Sequence, residues 1–70
     1  MRISARNTIK GKITKIVHGP VSTEVHILIA PATEIISSIT SIAAQSLGLK
    51  EGMEAYAVIK ASSVMVAVDH

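Results

Sequence analysis

The 70-residue sequence contains no cysteine, phenylalanine or tryptophan, and its single aromatic residue is Tyr56. Without cysteine, disulfide bridges and thiolate metal sites are both excluded. With one aromatic side chain, the sequence is poor in the stacking platforms on which single-stranded nucleic-acid binders hold bases. A lone domain of this size buries only about 60% of the surface that its unfolded chain exposes. We therefore expect the chain to be stabilised by self-association.

The sequence also lacks a dense run of charge, and no apolar stretch approaches the roughly 20 residues that a membrane-spanning helix requires. The first residues, Met1 to Arg6, do not form the apolar core of a signal peptide. We therefore expect a cytoplasmic location and no membrane partner. The formal net charge is +2 and the isoelectric point is about 9.3. This mild basic balance favours small anionic ligands over nucleic acid.

Alternation of apolar and polar residues predicts five strands in a single domain spanning residues 1–70. The strands are predicted over residues 9–17, 21–29, 34–40, 53–61 and 64–68. A change of phase within the first strand predicts a β-bulge near Thr14 and Lys15. His18, Gly19 and Pro20 have the composition of the turn that follows it.

A short helix is predicted over Ile42–Leu47, with Ser41 as its N-cap. Gly48 is placed to end it in the left-handed conformation, and Leu49 is expected to pack back onto the core. Five strands with one short helix between the third and fourth is the element order of the OB fold, a five-stranded Greek-key barrel. The predicted fold class is therefore all-β, but the fold alone leaves the function open.

Catalysis requires a nucleophile with a base, paired carboxylates or a metal cluster, and the acids and histidines of this sequence show none of these spacings. We interpret His18 in the turn, His26 on the polar face of the second strand and His70 at the end as surface histidines. Glu51 and Glu54 are interpreted as solvated turn carboxylates. The sequence therefore predicts no enzyme, no cofactor and no site for a bare metal cation.

Two segments bring hydroxyls, cations and small residues together, Ser4–Asn7 and Lys60–Ser63. A tetrahedral dianion presents four acceptor oxygens, which require hydroxyl, amide and cationic donors around them. The turn His18–Ser22 is a weaker candidate of the same kind, with donors at Val21 and Ser22. An ordinary strand lead-in, loop and turn explain the same three segments, and their spacing does not decide between the two interpretations.

A series of short motifs extends along the whole chain: Ser4-Ala5-Arg6-Asn7, Lys10-Gly11-Lys12-Ile13, His18-Gly19, Glu24-Val25, Leu47-Gly48-Leu49-Lys50-Glu51-Gly52, Ala55-Tyr56-Ala57 and the segment from Lys60 to Asp69. In their order and spacing these motifs resemble the molbindins, the Mop family of TOBE-like domains that bind molybdate or tungstate. It implies that the protein binds, stores and buffers the oxyanion at subunit interfaces without catalysis. It also implies a homohexamer, arranged as a trimer of dimers.

The resemblance further implies which residues hold the oxyanion. At the main interface site these are Ser4, Ala5, Arg6, Thr40, Lys60, Ala61 and Ser62. At a second site near the threefold axis they are His18, Gly19, Val21 and Ser22. The chain departs from the family pattern around the second site at Pro20, Ser22 and Thr23, and proline removes a backbone donor. The resemblance therefore supports the main site more strongly than the second.

Two other functions stay open at this point. A nucleic-acid-binding OB-fold module fits the fold and the isoelectric point, although the scarcity of aromatic residues disfavours it. A regulatory subunit that senses the oxyanion and signals to a protein partner uses the same binding site. Molybdate and tungstate are almost the same size, so the sequence does not choose between them.

Overall fold

The computed structural model describes residues 4–69, which form one curled antiparallel sheet with a short helix. The strands are β1 (Asn7–Val17), β2 (Ser22–Ala30), β3 (Thr33–Thr40) and β4 (Glu54–Ile59), in the spatial order β3-β2-β1-β4. Helix α1 (Ser41–Leu47) lies between β3 and β4, and a 3-10 turn (Ala61–Ser63) follows β4. The predicted all-β class with a helix between the third and fourth strands is confirmed. His70 lies outside the described residues.

The central strand β1 divides its pairing between two neighbours. Residues 7–12 pair with β4, and residues 12–17 pair with β2. The register of the second pairing shifts between Ile13 and Lys15, which leaves Thr14 as an extra residue and confirms the predicted bulge. Because a bulge bends and twists its strand, β1 turns from one neighbour to the other and the sheet curls into a half-barrel.

The core lies on the concave face of this half-barrel. Ile13 is 0% exposed, and Val25, Ile27 and Ala57 are buried around it. Val25 and Ile27 alternate with Glu24 and His26 along β2, as the period of two in the sequence predicts. This apolar face is built almost wholly from aliphatic side chains, which fits the near absence of aromatic residues.

The N-cap of α1 is Thr40, so the prediction of Ser41 as the cap is wrong by one residue. Thr40 remains extended, and its hydroxyl accepts a hydrogen bond from the Ala43 N–H at 3.1 Å. Strand β3 runs directly into the helix, which makes Ser41 the first helical residue. Gly48 ends α1 with φ of 64°, as predicted. Leu49 packs against the core, also as predicted.

The fifth strand predicted over residues 64–68 is absent from the described chain, and β4 is shorter than the predicted 53–61. The 3-10 turn carries the chain away from the sheet, so that Met65 and Val66 are 93% and 90% exposed. An alternating segment forms a strand only where a neighbouring strand can pair with it. Within the described chain, residues 64–69 pair with no neighbouring strand.

An open apolar groove of about 350 Å³ lies between β3 and β4, the two outer strands of the sheet. Its lining includes Ile39 from β3, Leu49 after α1, and Tyr56 and Val58 from β4. Closure of this sheet into a five-stranded barrel would require a further strand between β3 and β4. The half-barrel therefore leaves part of its core open.

Within residues 4–69, no helix has the length and hydropathy needed to cross a membrane.

Gly11 provides a test of how closely β1 and β2 approach. A Cβ atom added at Gly11 would lie 2.6 Å from the Leu28 carbonyl oxygen and 2.7 Å from Ile27 Cγ2. Gly11→Ala is therefore expected to destabilise the fold by about 1–3 kcal/mol through overpacking. Thr8→Ala, at an exposed position of the same strand, is the control. Equal urea unfolding midpoints for the two variants would contradict the close approach.

Candidate functional site

The pairing of β1 with β4 brings together most of the residues expected at the main oxyanion site. Asn7 at the start of β1 pairs with Ile59 at the end of β4. Arg6 precedes Asn7 and Lys60 follows Ile59, so both lie next to the last pair of this antiparallel ladder. Segments 4–6 and 60–62 thus extend from the same end of the β1/β4 pair. Six of the seven predicted residues belong to these segments, which we call the cationic end.

The backbone after β4 adds donors to the cationic end. The Ser63 N–H donates to the Lys60 carbonyl at 2.9 Å, and the Val64 N–H donates to the Ala61 carbonyl at 3.3 Å. The N–H groups of Ala61 and Ser62 precede these hydrogen bonds, so the turn does not use them. Together with the Ser62 hydroxyl they are donors of the kind that an oxyanion requires. Arg6 and Lys60 supply positive charge, which strengthens such hydrogen bonds.

Thr40 does not join the cationic end of its own chain. It ends β3 and pairs with Ser22 at the start of β2, beside the far end of β1. The eleven-residue β1 spans roughly 33 Å of extended chain, in a molecule whose longest dimension is 40 Å. The structure therefore separates Thr40 from the other six residues. A site that contains all seven requires more than one copy of the chain.

The residues expected at the second site lie in the turn between β1 and β2, at the same end as Thr40. The Ser41 hydroxyl donates to the Gly19 carbonyl at 2.6 Å, and the Ser41 N–H donates to the Val21 carbonyl at 2.8 Å. His18 and Ser22 are exposed beside them. The start of α1 thus fixes the turn. Thr40 and the second-site residues form one group, which we call the turn end.

Sequence reasoning named Thr23 and Ser41 but did not predict that their side chains support the turn end. Thr23 is 1% exposed, and its hydroxyl lies 2.8 Å from the Ser41 hydroxyl. Thr23 occupies the apolar face of β2, and a polar residue at such a position was the available signal. A buried hydroxyl requires a hydrogen-bond partner, and Ser41 is that partner.

The charged residues interpreted as surface groups make more contacts than predicted. Glu51 accepts a hydrogen bond from the Ile16 N–H at 3.2 Å, and Glu54 lies 3.4 Å from the Lys10 ammonium group. His26 lies on the polar face of β2, as predicted, but its ring contacts two carboxylates. Within residues 4–69, no three His, Asp or Glu side chains are grouped to hold a metal ion.

Comparisons with known proteins show the family to which the chain belongs. A family model described as the TOBE domain matches residues 3–66. The chain belongs to the TOBE domain family. Together with the relatives described next, this family assignment confirms the resemblance to the molbindins, and it indicates a binding role.

Three relatives of this TOBE domain have names or descriptions that refer to molybdenum, molybdate or Mop. It is 48% identical over 69 residues to a "probable molybdenum-pterin-binding protein" of Haemophilus influenzae, covering 99% of this chain and 100% of the relative. MopII from Clostridium pasteurianum is similar with a TM-score of 0.89 and 42% identity, over 96% of this chain and 100% of MopII. The cytoplasmic molybdate-binding protein ModG, solved with molybdate bound, has a TM-score of 0.86 and 46% identity, over 93% of this chain and 46% of ModG. The OB-fold prediction is confirmed by these similarities.

Ser41 provides a test of the turn end. Ser41→Ala removes the partner of the buried Thr23 hydroxyl, and an unsatisfied buried hydroxyl costs about 1–3 kcal/mol. Ser46→Ala, an exposed serine of the same helix, is the matched control. Urea denaturation is expected to show a loss of stability for Ser41→Ala only. Comparable losses for both variants would show that the Ser41 contacts do not stabilise the turn.

Proposed function

We propose that this TOBE domain binds molybdate or tungstate and buffers the supply of the oxyanion by storing it between copies of the chain. The proposal is carried by the cationic end, where the β1/β4 pairing brings Ser4–Arg6 and Lys60–Ser62 together. The names of the relatives point to the same ligand. The protein acts without catalysis and without a cofactor, and we propose that it is cytoplasmic, as ModG is described to be.

The chemistry of a tetrahedral dianion explains why such a site lies between subunits. Removing a dianion from water is costly unless donors and cations surround it. The cationic end offers Arg6, Lys60 and nearby hydroxyl and amide donors, but it is open to solvent on a single chain. A second copy excludes water from the site, and Thr40 of that copy adds a hydroxyl that can donate to the anion. Bound anion in turn offsets the repulsion between the clustered cations.

The open groove and the C-terminal segment support self-association independently of the ligand. Residues 64–69, which we call the C-terminal arm, alternate exposed valines with other residues. The outer strands β3 and β4 are unpaired at their outer edges within residues 4–69. We propose that the arm of a second copy enters the groove as the fifth strand. Burial of each valine contributes about 1.5–3 kcal/mol when it is complete.

The placement of the two groups of site residues supports an assembly larger than a dimer. The cationic end and the turn end lie at opposite ends of β1. Oxyanion sites at both ends therefore require two kinds of contact between subunits. A hexamer arranged as a trimer of dimers provides both, with the second site at His18, Gly19, Val21 and Ser22 on the threefold axis. Pro20 leaves that site one backbone donor fewer.

Lys60 is expected to contribute to oxyanion affinity far more than Lys50, which lies in the turn after α1. A hydrogen bond to a charged group is worth about 1.5–3 kcal/mol, so Lys60→Ala is expected to weaken molybdate binding roughly 10-fold to 100-fold. Lys50→Ala removes the same charge elsewhere and is the matched control. Calorimetric titration with molybdate, tungstate and sulfate measures both variants. Equal losses of affinity would show that the site is misplaced.

Substitutions at Val66 and Met65 test whether the C-terminal arm forms a fifth strand in the groove of a second copy. Side chains of a strand alternate between its two faces, so Val66 is expected to enter the groove of a second copy while Met65 faces outward. Val66→Lys is therefore expected to reduce the mass measured by light scattering. Met65→Lys, the matched control at a position 93% exposed in one chain, is expected to leave the mass unchanged. An unchanged mass for Val66→Lys would contradict strand exchange.

A further inference from the structure

The polar face of the sheet carries a cluster of side chains that crosses three strands and lies outside both groups of site residues. His26 Nε2 on β2 lies 2.8 Å from Glu24 Oε2, and its Nδ1 lies 3.3 Å from Glu34 Oε1 on β3. The Thr14 hydroxyl on β1 donates to Glu34 Oε2 at 2.7 Å. We call these four residues the His26 cluster.

The geometry of the His26 cluster requires a particular protonation state. A neutral imidazole has one N–H donor and one acceptor nitrogen, whereas an ionised carboxylate only accepts. Both ring nitrogens of His26 face carboxylates, so both contacts form only when the ring carries two protons. The hydrogen bond to Glu24 and then that to Glu34 raise the pKa of His26 above its ordinary value of 6.5, against a smaller effect of burial.

The His26 cluster is attached to the bulge of β1. Thr14 is the extra residue of the bulge, and its hydroxyl bonds to Glu34. On the other side, the Ile13 N–H donates to the Met53 carbonyl at 2.9 Å, and the Gly52 N–H donates to the Ile13 carbonyl at 2.8 Å. The bulge is therefore held by backbone hydrogen bonds on one side and by the cluster on the other. The cluster connects β1 to β3, which are not neighbours in the sheet.

We propose that the His26 cluster is a proton-dependent clamp that holds the bulge of β1 and thereby sets the curl of the half-barrel. When the ring releases one proton to solvent, a lone pair faces one of the two carboxylates and that contact is lost. The contact with Glu34 is the longer of the two, so the connection to β3 is the one that opens. Glu34 then keeps its hydrogen bond from Thr14 but is no longer held in place by His26, so the cluster holds the bulge less firmly.

The clamp has a defined pH range. Because the pKa of His26 is raised in the folded chain, its contribution to stability is complete below about pH 6.5 and is lost as the pH rises through the raised pKa. The pKa of Glu34 is lowered, chiefly by Thr14 and then by His26, so its contribution is lost as the pH falls through that lowered pKa. Lys15, in register with His26 on β1, also lowers the pKa of Glu34, whereas Ile36 faces His26 from β3 without charge.

The curl of the half-barrel also sets the width of the groove between β3 and β4. Loss of the clamp is therefore expected to weaken the entry of a second copy's arm and, with it, retention of the oxyanion. This consequence rests on the proposed function. The clamp itself is a property of one chain and is tested separately.

The first test of the clamp is an NMR titration of the unmodified protein from about pH 5 to about pH 9, a range that brackets ordinary histidine titration. His26 is expected to titrate above its ordinary pKa, and both Glu24→Gln and Glu34→Gln are expected to lower its pKa. Glu54→Gln, which neutralises an exposed carboxylate outside the cluster, is the control. A His26 pKa at or below the ordinary value would overturn the proposal.

The second test follows the bulge. In the unmodified protein, hydrogen-exchange protection of the amides around Thr14 is expected to fall as His26 loses its proton. In His26→Gln, this protection is expected to be lower and not to change over the pH range in which His26 titrates. The thermal midpoint of the unmodified protein is expected to exceed that of His26→Gln at pH 6 and to approach it at higher pH. Hydrogen-exchange protection around Thr14 that does not change when His26 loses its proton would overturn the clamp.

Should His26→Gln fail to fold, Glu34→Gln, which neutralises the carboxylate that joins His26 to Thr14, is compared with the unmodified protein in the same way. The outcomes also separate the clamp from the proposed function. A pH-dependent bulge in a chain that binds no molybdate supports the clamp alone. A pH-independent bulge in a molybdate-binding oligomer overturns the clamp alone.

Discussion

The division of β1 between two neighbours is the constraint on which the rest of the structure depends. The first half of β1 pairs with β4 and the second half with β2, and the bulge at Thr14 lies where the strand changes direction. This arrangement curls a four-stranded sheet enough to surround a small aliphatic core without closing it. It also fixes where the two ends of β1 lie, and with them the cationic end and the turn end.

The incomplete barrel and the candidate anion site have one feature in common, which is that each is open to solvent in a single chain. The groove between β3 and β4 exposes part of the core, while Arg6 and Lys60 place positive charge at an open end. In the assembly that we propose, a second copy covers the apolar groove, excludes water from the anion and brings Thr40 within reach of the site. The chain belongs to the TOBE family, and its relative ModG was solved with molybdate bound.

The sequence was informative where a local rule decides the structure. The alternation along β2, the bulge at Thr14 and the left-handed Gly48 depend on neighbours in the chain, and all three were predicted. The fifth strand is absent from residues 4–69, because alternation alone does not supply the neighbouring strand that pairing requires. Thr40 and Ser41 are both good caps, and only the end of β3 decides between them.

The candidate site divides in the same way. Arg6 and Lys60 lie close together because of the order and register of the strands. The sequence pattern and the family resemblance together were enough to predict this. The distance of Thr40 from Arg6 and Lys60 depends on which strands lie beside each end of β1. The His26 cluster depends on contacts among three strands that are separate in sequence. Neither can be predicted without the sheet register.

Native mass spectrometry of the protein with added molybdate tests the sharing of the site most directly, because it reports the number of chains and of bound anions in each species. Anions are expected only on species that contain two or more chains, with the hexamer carrying the most. Monomers that hold molybdate as tightly as the oligomer would show that one chain completes the site alone, which contradicts an oxyanion bound between copies.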